Sequence, residues 1–264
     1  MEKRQASSWH TVEELIDIGY QYSRVVMMNE CHAGWFRCIR TRRIGQRILP
    51  VAHQLGVRYL AMEALYSPVT KEANRTRILP SNAWGYLEQP EMRSFIQTAL
   101  DLGWTLITYE ADFEQEPPDL SSLQRNNWRE EQQAEHLITA LNSLSETARL
   151  LVWCGNNHHT KALIPIRDGE PGDFCALMGY HFRLKSGIDP FVIDQGVTVE
   201  WPDAKKVGYK QWLKEITPTL VTFGGTAGFL AKEAPACLPV CPGNDAYVVS
   251  LDNAMEEWIP TGMQ

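Results

Sequence analysis

Glu30-Cys31-His32 puts a carboxylate, a thiol and an imidazole in a row, directly after the apolar run Val25 to Met28. A carboxylate two residues from an imidazole suits acid-base chemistry: the imidazole takes or gives the proton, and the carboxylate orients it and stabilises its charged form. The thiol between them raises nucleophilic catalysis as an alternative. Neighbouring residues at a strand end point to opposite sides, however, so Cys31 reads as a small buried neighbour of a Glu-x-His element. Three further apolar runs end in groups of the same kind: Glu63, then Glu110 and Asp112, then Asn156, Asn157, His158 and His159.

These runs must be delivered to one place by the elements that carry them. "RVVMMNE", "VRYLAMEAL", "WTLITYEAD" and "ARLLVWCGNNHH" are short continuous apolar stretches, as expected of strands buried on both faces. Helical patterns separate them: "GWFRCIRTRRIGQRILPVAHQLG", with Pro50 marking a break or kink, then "PEMRSFIQTALDLG", then "NNWREEQQAEHLITALNSL", with Asn127 and Glu130 at capping-box spacing. Thr11 and Glu14 have the same spacing before an amphipathic segment at the N-terminus. Gly56 and Gly103 stand where helices would stop. Strands alternating with helices imply an α/β fold: an open, mostly parallel twisted sheet with helices on both faces. Parallel strands expose their carboxyl ends along one edge, where ligands bind in the crevice between loops. Glu30, His32, Glu63, Glu110, Asp112, Asn156, Asn157, His158 and His159 are therefore expected to converge.

After residue 165 the pattern changes. "DFCALMGYHFRL", "PFVIDQGVTVEW", "PTLVTFGG" and "DAYVVSL" read as strands, mixed or antiparallel at the sheet edge, with one later helix around "AKKVGYKQWLKEI". The expected organisation is one α/β domain over 1–264, with a βα core at 1–165 and a strand-rich C-terminal extension at 166–264.

Bulk properties narrow the function. The chain has 264 residues, 44% of them hydrophobic, enough for a substantial core. Its net charge of -7, from 25 basic and 32 acidic residues without a basic block, leaves no footprint for nucleic acid. No stretch reads as a signal peptide or membrane span, so a cytoplasmic protein without a membrane partner is expected, its oligomeric state open. The six cysteines form no paired C-x-x-C knuckles, and Cys237 and Cys241 in "CLPVC" are too few to mark a metal or redox site. His53 and His136 lie inside helical patterns and read as surface or packing residues; His10 and His181 carry no local signal.

The motifs in order resemble those of the superfamily grouping erythromycin esterases, ChaN-like haem-binding uptake proteins and the Tiki and TraB hydrolases. "NECHAG" is similar to its G-E-x-H first-strand signature, "GVRYLAMEAL" to its second strand, "NNWREEQQAEHL" to its R-D-x-x-M-A-x-x-I helix, and "LLVWCGNNHH" to its fourth strand. The resemblance covers about residues 24 to 160. It implies Glu30, His32, Glu63 and His158 as catalytic residues, with Arg129 on the supporting helix. Asn29 replaces the usual Gly, Gln133 the usual Met, and Gly155 the first His of the esterase branch. The chain also lacks room for that branch's helical insertion, so the compact ChaN-like architecture is the expectation.

The expected activity is that of a hydrolase acting on an ester, lactone, thioester or amide of a small organic molecule. No cofactor is required in this reading. A divalent metal held by His32, Glu30, Glu63 and His158, as in a Tiki-type peptidase, and haem or small-ligand binding of the ChaN type are the alternatives. Arg37 and Arg40, read as lying near the start of the first crossover helix, are candidates for contacting a substrate carboxylate or phosphate. The segment from Ser67 to Gln89, which carries Trp84 and Tyr86, reads as a long loop suited to a lid, with Trp84 a candidate substrate contact.

Overall fold

In the computed structural model, residues 9–33, 36–63, 65–83, 85–165, 173–196, 207–234, 237–238, 241–251 and 255–257 are described. The chain starts with helix α1 (Val12–Tyr22), closed by the expected capping box: the Glu14 amide donates to Thr11 Oγ1 at 3.1 Å and the Thr11 amide to Glu14 Oε2 at 2.7 Å. Strand β1 (Val25–Glu30) follows, buried along its whole length. Next come a short antiparallel pair, β2 (His32–Ala33) and β3 (Phe36–Cys38), helix α2 (Ile39–Gln54) and strand β4 (Val57–Met62). Helix α3 (Ser67–Thr76), helix α4 (Pro90–Asp101), strand β5 (Thr105–Thr108), helix α5 (Ser122–Asn142) and strand β6 (Arg149–Gly155) complete the first part.

The rest adds β7 (Ile164–Pro165), β8 (Phe174–Cys175), α6 (Met178–Ser186), β9 (Phe191–Asp194), α7 (Val207–Thr222), β10 (Thr226–Leu230), β11 (Ala246–Ser250) and β12 (Met255–Glu257). The main sheet has seven strands in the order β10-β11-β9-β1-β6-β4-β5. Every neighbouring pair is parallel except the antiparallel edge pair β10 and β11. The α/β class and the mixed C-terminal edge are as the sequence implies.

Strand alternation divides the core into two layers. Val26 and Met28 of β1 join Leu151 and Trp153 of β6 on the face covered by α2 and α4; Val25 and Met27 join Leu150, Val152 and Cys154 on the face covered by α5 and α6. Chain order sets the site. From β1 the chain runs through α2 to β4 and β5 on one side, then returns to β6 and leaves through α6 for β9 on the other. Adjacent strands β1 and β6 thus send their following segments to opposite faces, which opens a crevice at their carboxyl ends, and Glu30 and Gly155 are register partners at that point.

Several elements differ from the expectation. Helix α2 begins only at Ile39, because Phe36–Cys38 is drawn into the antiparallel pair, and it continues through Pro50 to Gln54. Helix α5 begins at Ser121 as cap, with Gln124 closing the box, rather than at Asn127. Ser67 to Gln89 is no open loop: Pro68 seeds α3, the left-handed Arg77 ends it, and a 3-10 turn spans Gly85–Glu88. "DFCALMGYHFRL" is mainly helix α6, which buries Met178, Gly179 and Phe182. "PTLVTFGG" belongs to α7, which runs through Pro218, and the strand comes after it at Thr226. Within "PFVIDQGVTVEW", Phe191–Asp194 is a strand and Gly196 its last described residue.

Candidate functional site

Glu30 is 2% exposed at the end of β1, and a carboxylate there requires partners. Arg42, fully buried on α2, supplies a two-pronged clamp: Nε donates to Oε2 and Nη2 to Oε1, both at 2.8 Å. Trp153 Nε1 donates to Oε2 at 3.1 Å, and Arg42 Nη1 donates onward to Gln89 Oε1. Burial alone would raise the Glu30 pKa, but the Arg42 charge and hydrogen bonds, with His32 adding to them, hold it well below the usual carboxylate range. Glu30 is therefore a permanent acceptor.

His32 lies against that acceptor, its Nδ1 3.0 Å from Glu30 Oε1. An ionised carboxylate accepts the Nδ1 proton, so neutral His32 keeps its Nε2 lone pair free. The ring faces bare backbone: a Cβ on Gly155 would lie 2.8 Å from His32 Nε2, 2.2 Å from Cε1 and 3.0 Å from Glu63 Oε2. Tyr86, from the 3-10 turn, covers the ring with centroids 4.6 Å apart. Asn156 anchors the strand end in a left-handed conformation (φ 40°): its amide donates to the Glu30 carbonyl at 2.6 Å, its Oδ1 accepts from the His32 amide at 3.2 Å, and its carbonyl accepts from Asn29 Nδ2 at 2.7 Å. Glu30, His32, Glu63, Tyr86, Trp153 and Gly155 line a recess of about 10 Å³, room for about one water molecule.

A second group of charges adjoins the recess through Glu63. Its Oε2 accepts from the Gly155 amide at 2.7 Å and its Oε1 from Arg129 Nη2 at 2.8 Å, with His158 Nε2 at 3.6 Å. Burial opposes ionisation, but His158, Arg129 and His32 pull the Glu63 pKa down to about 2. His158 Nδ1 pairs with the buried Glu130, whose Oε2 accepts from the Met178 amide at 2.7 Å. Burial would strip His158 of its proton, yet Glu63 and Glu130 raise its pKa to about 9, so it is cationic at neutral pH. Arg129 is bidentate to Glu110, at 3.0 and 2.6 Å, and Gln133 donates to the same carboxylate at 2.9 Å.

Glu30, His32, Glu63, Glu110, Arg129 and His158 thus form one connected cluster. Asn157 stands apart, its Oδ1 towards Cys241 Sγ at 3.9 Å. Arg40 is on the first turn of α2 but donates to Thr226 Oγ1 at 3.1 Å, on strand β10 rather than into the recess. Arg37 precedes α2, on β3, and Trp84 lies outside the described residues. Cys31 is buried against Cys38, as expected of a small buried neighbour of the Glu-x-His element. His53 accepts from Trp104 Nε1 at 3.0 Å and His136 Nδ1 lies 2.9 Å from the Glu110 carbonyl, so both are packing residues.

Sequence reasoning missed Arg42 and Glu130. Arg42 falls on the buried stripe with Gly45, Leu49 and Ala52, where an arginine needs an acid, and that spacing is the signal. Glu130 and Asn127 carry the capping spacing for another reason: Asn127 holds Phe174 and Ala176, and Glu130 holds Met178 and His158.

The donor set does not suit a metal ion. Both Glu30 oxygens are taken by Arg42, both Glu63 oxygens accept N–H bonds, and among the described residues no group of three or more His, Cys, Asp or Glu is arranged to hold one. No described helix is long and apolar enough to cross a membrane.

An open α/β sheet with a Glu-His-Arg cluster at its switch point is the class that fold and site define. No family model and no curated protein matches the sequence. Among solved structures, one described as bacterial protein toxins is similar with a TM-score of 0.50 at 12% identity, over 69% of this chain and 36% of that one. RRSP, a MARTX toxin effector domain from Vibrio vulnificus CMCP6, is similar with a TM-score of 0.49 at 13% identity, over 72% and 37%. ChaN of Campylobacter jejuni, described with cofacial haem binding, is similar with a TM-score of 0.49 at 11% identity, over 69% and 85%. The chain spans little more than a third of the toxin chains, and at 12% identity the first likeness is one of fold alone.

Proposed function

We propose that this protein is a hydrolase-type enzyme in which His32 is the general base, acting on an ester, lactone, thioester or amide of a small organic molecule. One observation carries the reading: His32 is fixed through Nδ1 by a carboxylate that stays ionised, and its ring lines a recess the size of one water. His32 Nε2 takes a proton from the attacking water, and Glu30 stabilises the imidazolium. Arg42 and Trp153 keep Glu30 in place and in its ionised form throughout. On the far side of Glu63, cationic His158 pairs with Glu63 and Glu130, and Arg129 fixes Glu63 and Glu110, so that the second carboxylate of the recess also stays ionised and in place.

The test is His32→Ala, screened with wild type against esters, thioesters and amides. Turnover is expected to vanish while the far-ultraviolet circular dichroism is unchanged; undiminished turnover in the variant would sink the assignment. Haem or planar-ligand binding is the alternative from the family resemblance. A Soret band on haem titration of the wild-type protein would favour it over hydrolysis.

A further inference from the structure

Six cysteines are present and none is in a disulfide. Cys31 and Cys38 form a two-residue buried cluster of their own, 5% and 0% exposed. Of the others, Cys154 turns its buried Sγ to the Met28 carbonyl at 3.6 Å, and Cys241 Sγ lies 3.9 Å from Asn157 Oδ1. The register of β2 and β3 pairs His32 with Arg37 and Ala33 with Phe36, which sets Cys31 opposite Cys38, and the Cys38 amide donates to the Cys31 carbonyl at 3.2 Å.

Residues directly opposite in an antiparallel ladder point to the same face. Their Cα atoms are about 5.5 Å apart at a hydrogen-bonded position, inside the range of about 4.4 to 6.8 Å that disulfides span. Their Cβ atoms, towards the far end of about 4.5–5.5 Å in a hydrogen-bonded pair, need to approach by about 1.5 Å for a bond, a movement that falls to β2, the outer strand of the three-stranded sheet β12-β3-β2, which is held to β3 by a two-residue ladder.

We propose that Cys31 and Cys38 are a modification site, closing reversibly to a disulfide in the presence of hydrogen peroxide. The more exposed Cys31 sulfur, giving up its proton, attacks one peroxide oxygen; the O–O bond breaks, hydroxide leaves and takes up a proton as water, and Cys31 becomes a sulfenic acid. The Cys38 sulfur then attacks Cys31, the S–S bond forms, the S–O bond breaks, and a second water leaves. Peroxide gains two electrons, the two sulfurs lose them, and both thiol protons end in water. The depth of the pair selects a small oxidant. Its position gives the bond a local consequence, whatever reaction the site performs: Cys31 adjoins both Glu30 and His32, and Cys38 caps α2, which carries Arg42. The cross-link would tie together the two segments that bring His32 and Arg42 to one carboxylate.

Folded wild-type protein is treated with hydrogen peroxide, its remaining thiols are alkylated, and the digest is mapped without reduction. The expected product is a cross-linked peptide pair joining Cys31 to Cys38, lighter by two hydrogens and reopened by dithiothreitol. In Cys38→Ser the same treatment should leave Cys31 as a sulfenic acid that a dimedone-type probe labels. Wild-type protein that keeps all six thiols, or that joins a different pair, overturns the proposal; should the variant fail to fold, the wild-type map alone decides.

Discussion

Replacing Arg42 by Met keeps the length and much of the packing of the side chain but removes the charge that makes a buried Glu30 tolerable. Glu30 is 2% exposed, and Arg42 donates one 2.8 Å bond to each of its oxygens. Breaking a buried ion pair from one side costs about 3–5 kcal/mol, because the remaining charge is stranded. At about 2–4 °C per kcal/mol for a chain of this size, the thermal midpoint should fall by about 6–20 °C. The pH dependence gives the cause away. In the native protein the Glu30 pKa is depressed, so its contribution is present above the unfolded carboxylate range and is lost as pH falls towards the depressed value. Without Arg42, burial raises that pKa instead, so the deficit should be larger at about pH 8 than at about pH 5, where Glu30 can take up a proton. Adding Glu30→Gln to Arg42→Met removes the stranded charge and should reduce the loss to about 1–3 kcal/mol, the cost of imperfectly paired polar groups. Thermal melts of both variants across that pH range are the assay. A deficit that does not change with pH, or a double variant no more stable than the single one, would refute the argument that Arg42 is there to keep Glu30 ionised.

Gly155→Ala would put a methyl 2.2 Å from His32 Cε1; it should cost about 1–3 kcal/mol in urea unfolding and displace the imidazole enough to remove turnover, whereas retained turnover would show that His32 need not sit there. His158, with its native pKa raised to about 9, contributes stability that is fully present below its unfolded value and is lost as pH rises through 9. Urea midpoints of the wild type should accordingly fall over that interval, by an amount on the order of 3 kcal/mol, and His158→Gln should flatten the profile. Glu63, pulled down to about 2, works in the opposite direction: its contribution is present above the usual carboxylate range and is lost as pH falls towards 2, so acid unfolding of Glu63→Gln should begin from a lower plateau and show a shallower slope.

The sheet's first half was legible because each strand is a short apolar run flanked by helical spacing, and the polar ends of β1, β4, β5 and β6 announced a shared edge. Helix α6 was not, because a nine-residue helix that buries only Met178, Gly179 and Phe182 has too few turns to separate a period of 3.6 from one of 2. Pro218 and the β-branched residues around it disguised the end of α7 in the same way, since tertiary packing on β10 and β11 outweighs their local preference. At the site, type and position at the strand ends marked a wider set of polar residues, from which the family resemblance singled out Glu30, His32, Glu63 and His158. Arg42 was hidden among four other arginines of one segment, and only its place on the buried stripe separates it from a solvated face.

The clamp on Glu30 has a consequence for how such a protein can change over time. Arg42 and Trp153 belong at once to the site and to the packed layer under it, so no substitution at the base of the recess is local; each would be felt as a loss of folding. Variation in what the crevice admits is left to the segments around its mouth that carry Tyr86 or follow Gly155, where a failed variant still leaves a folded chain.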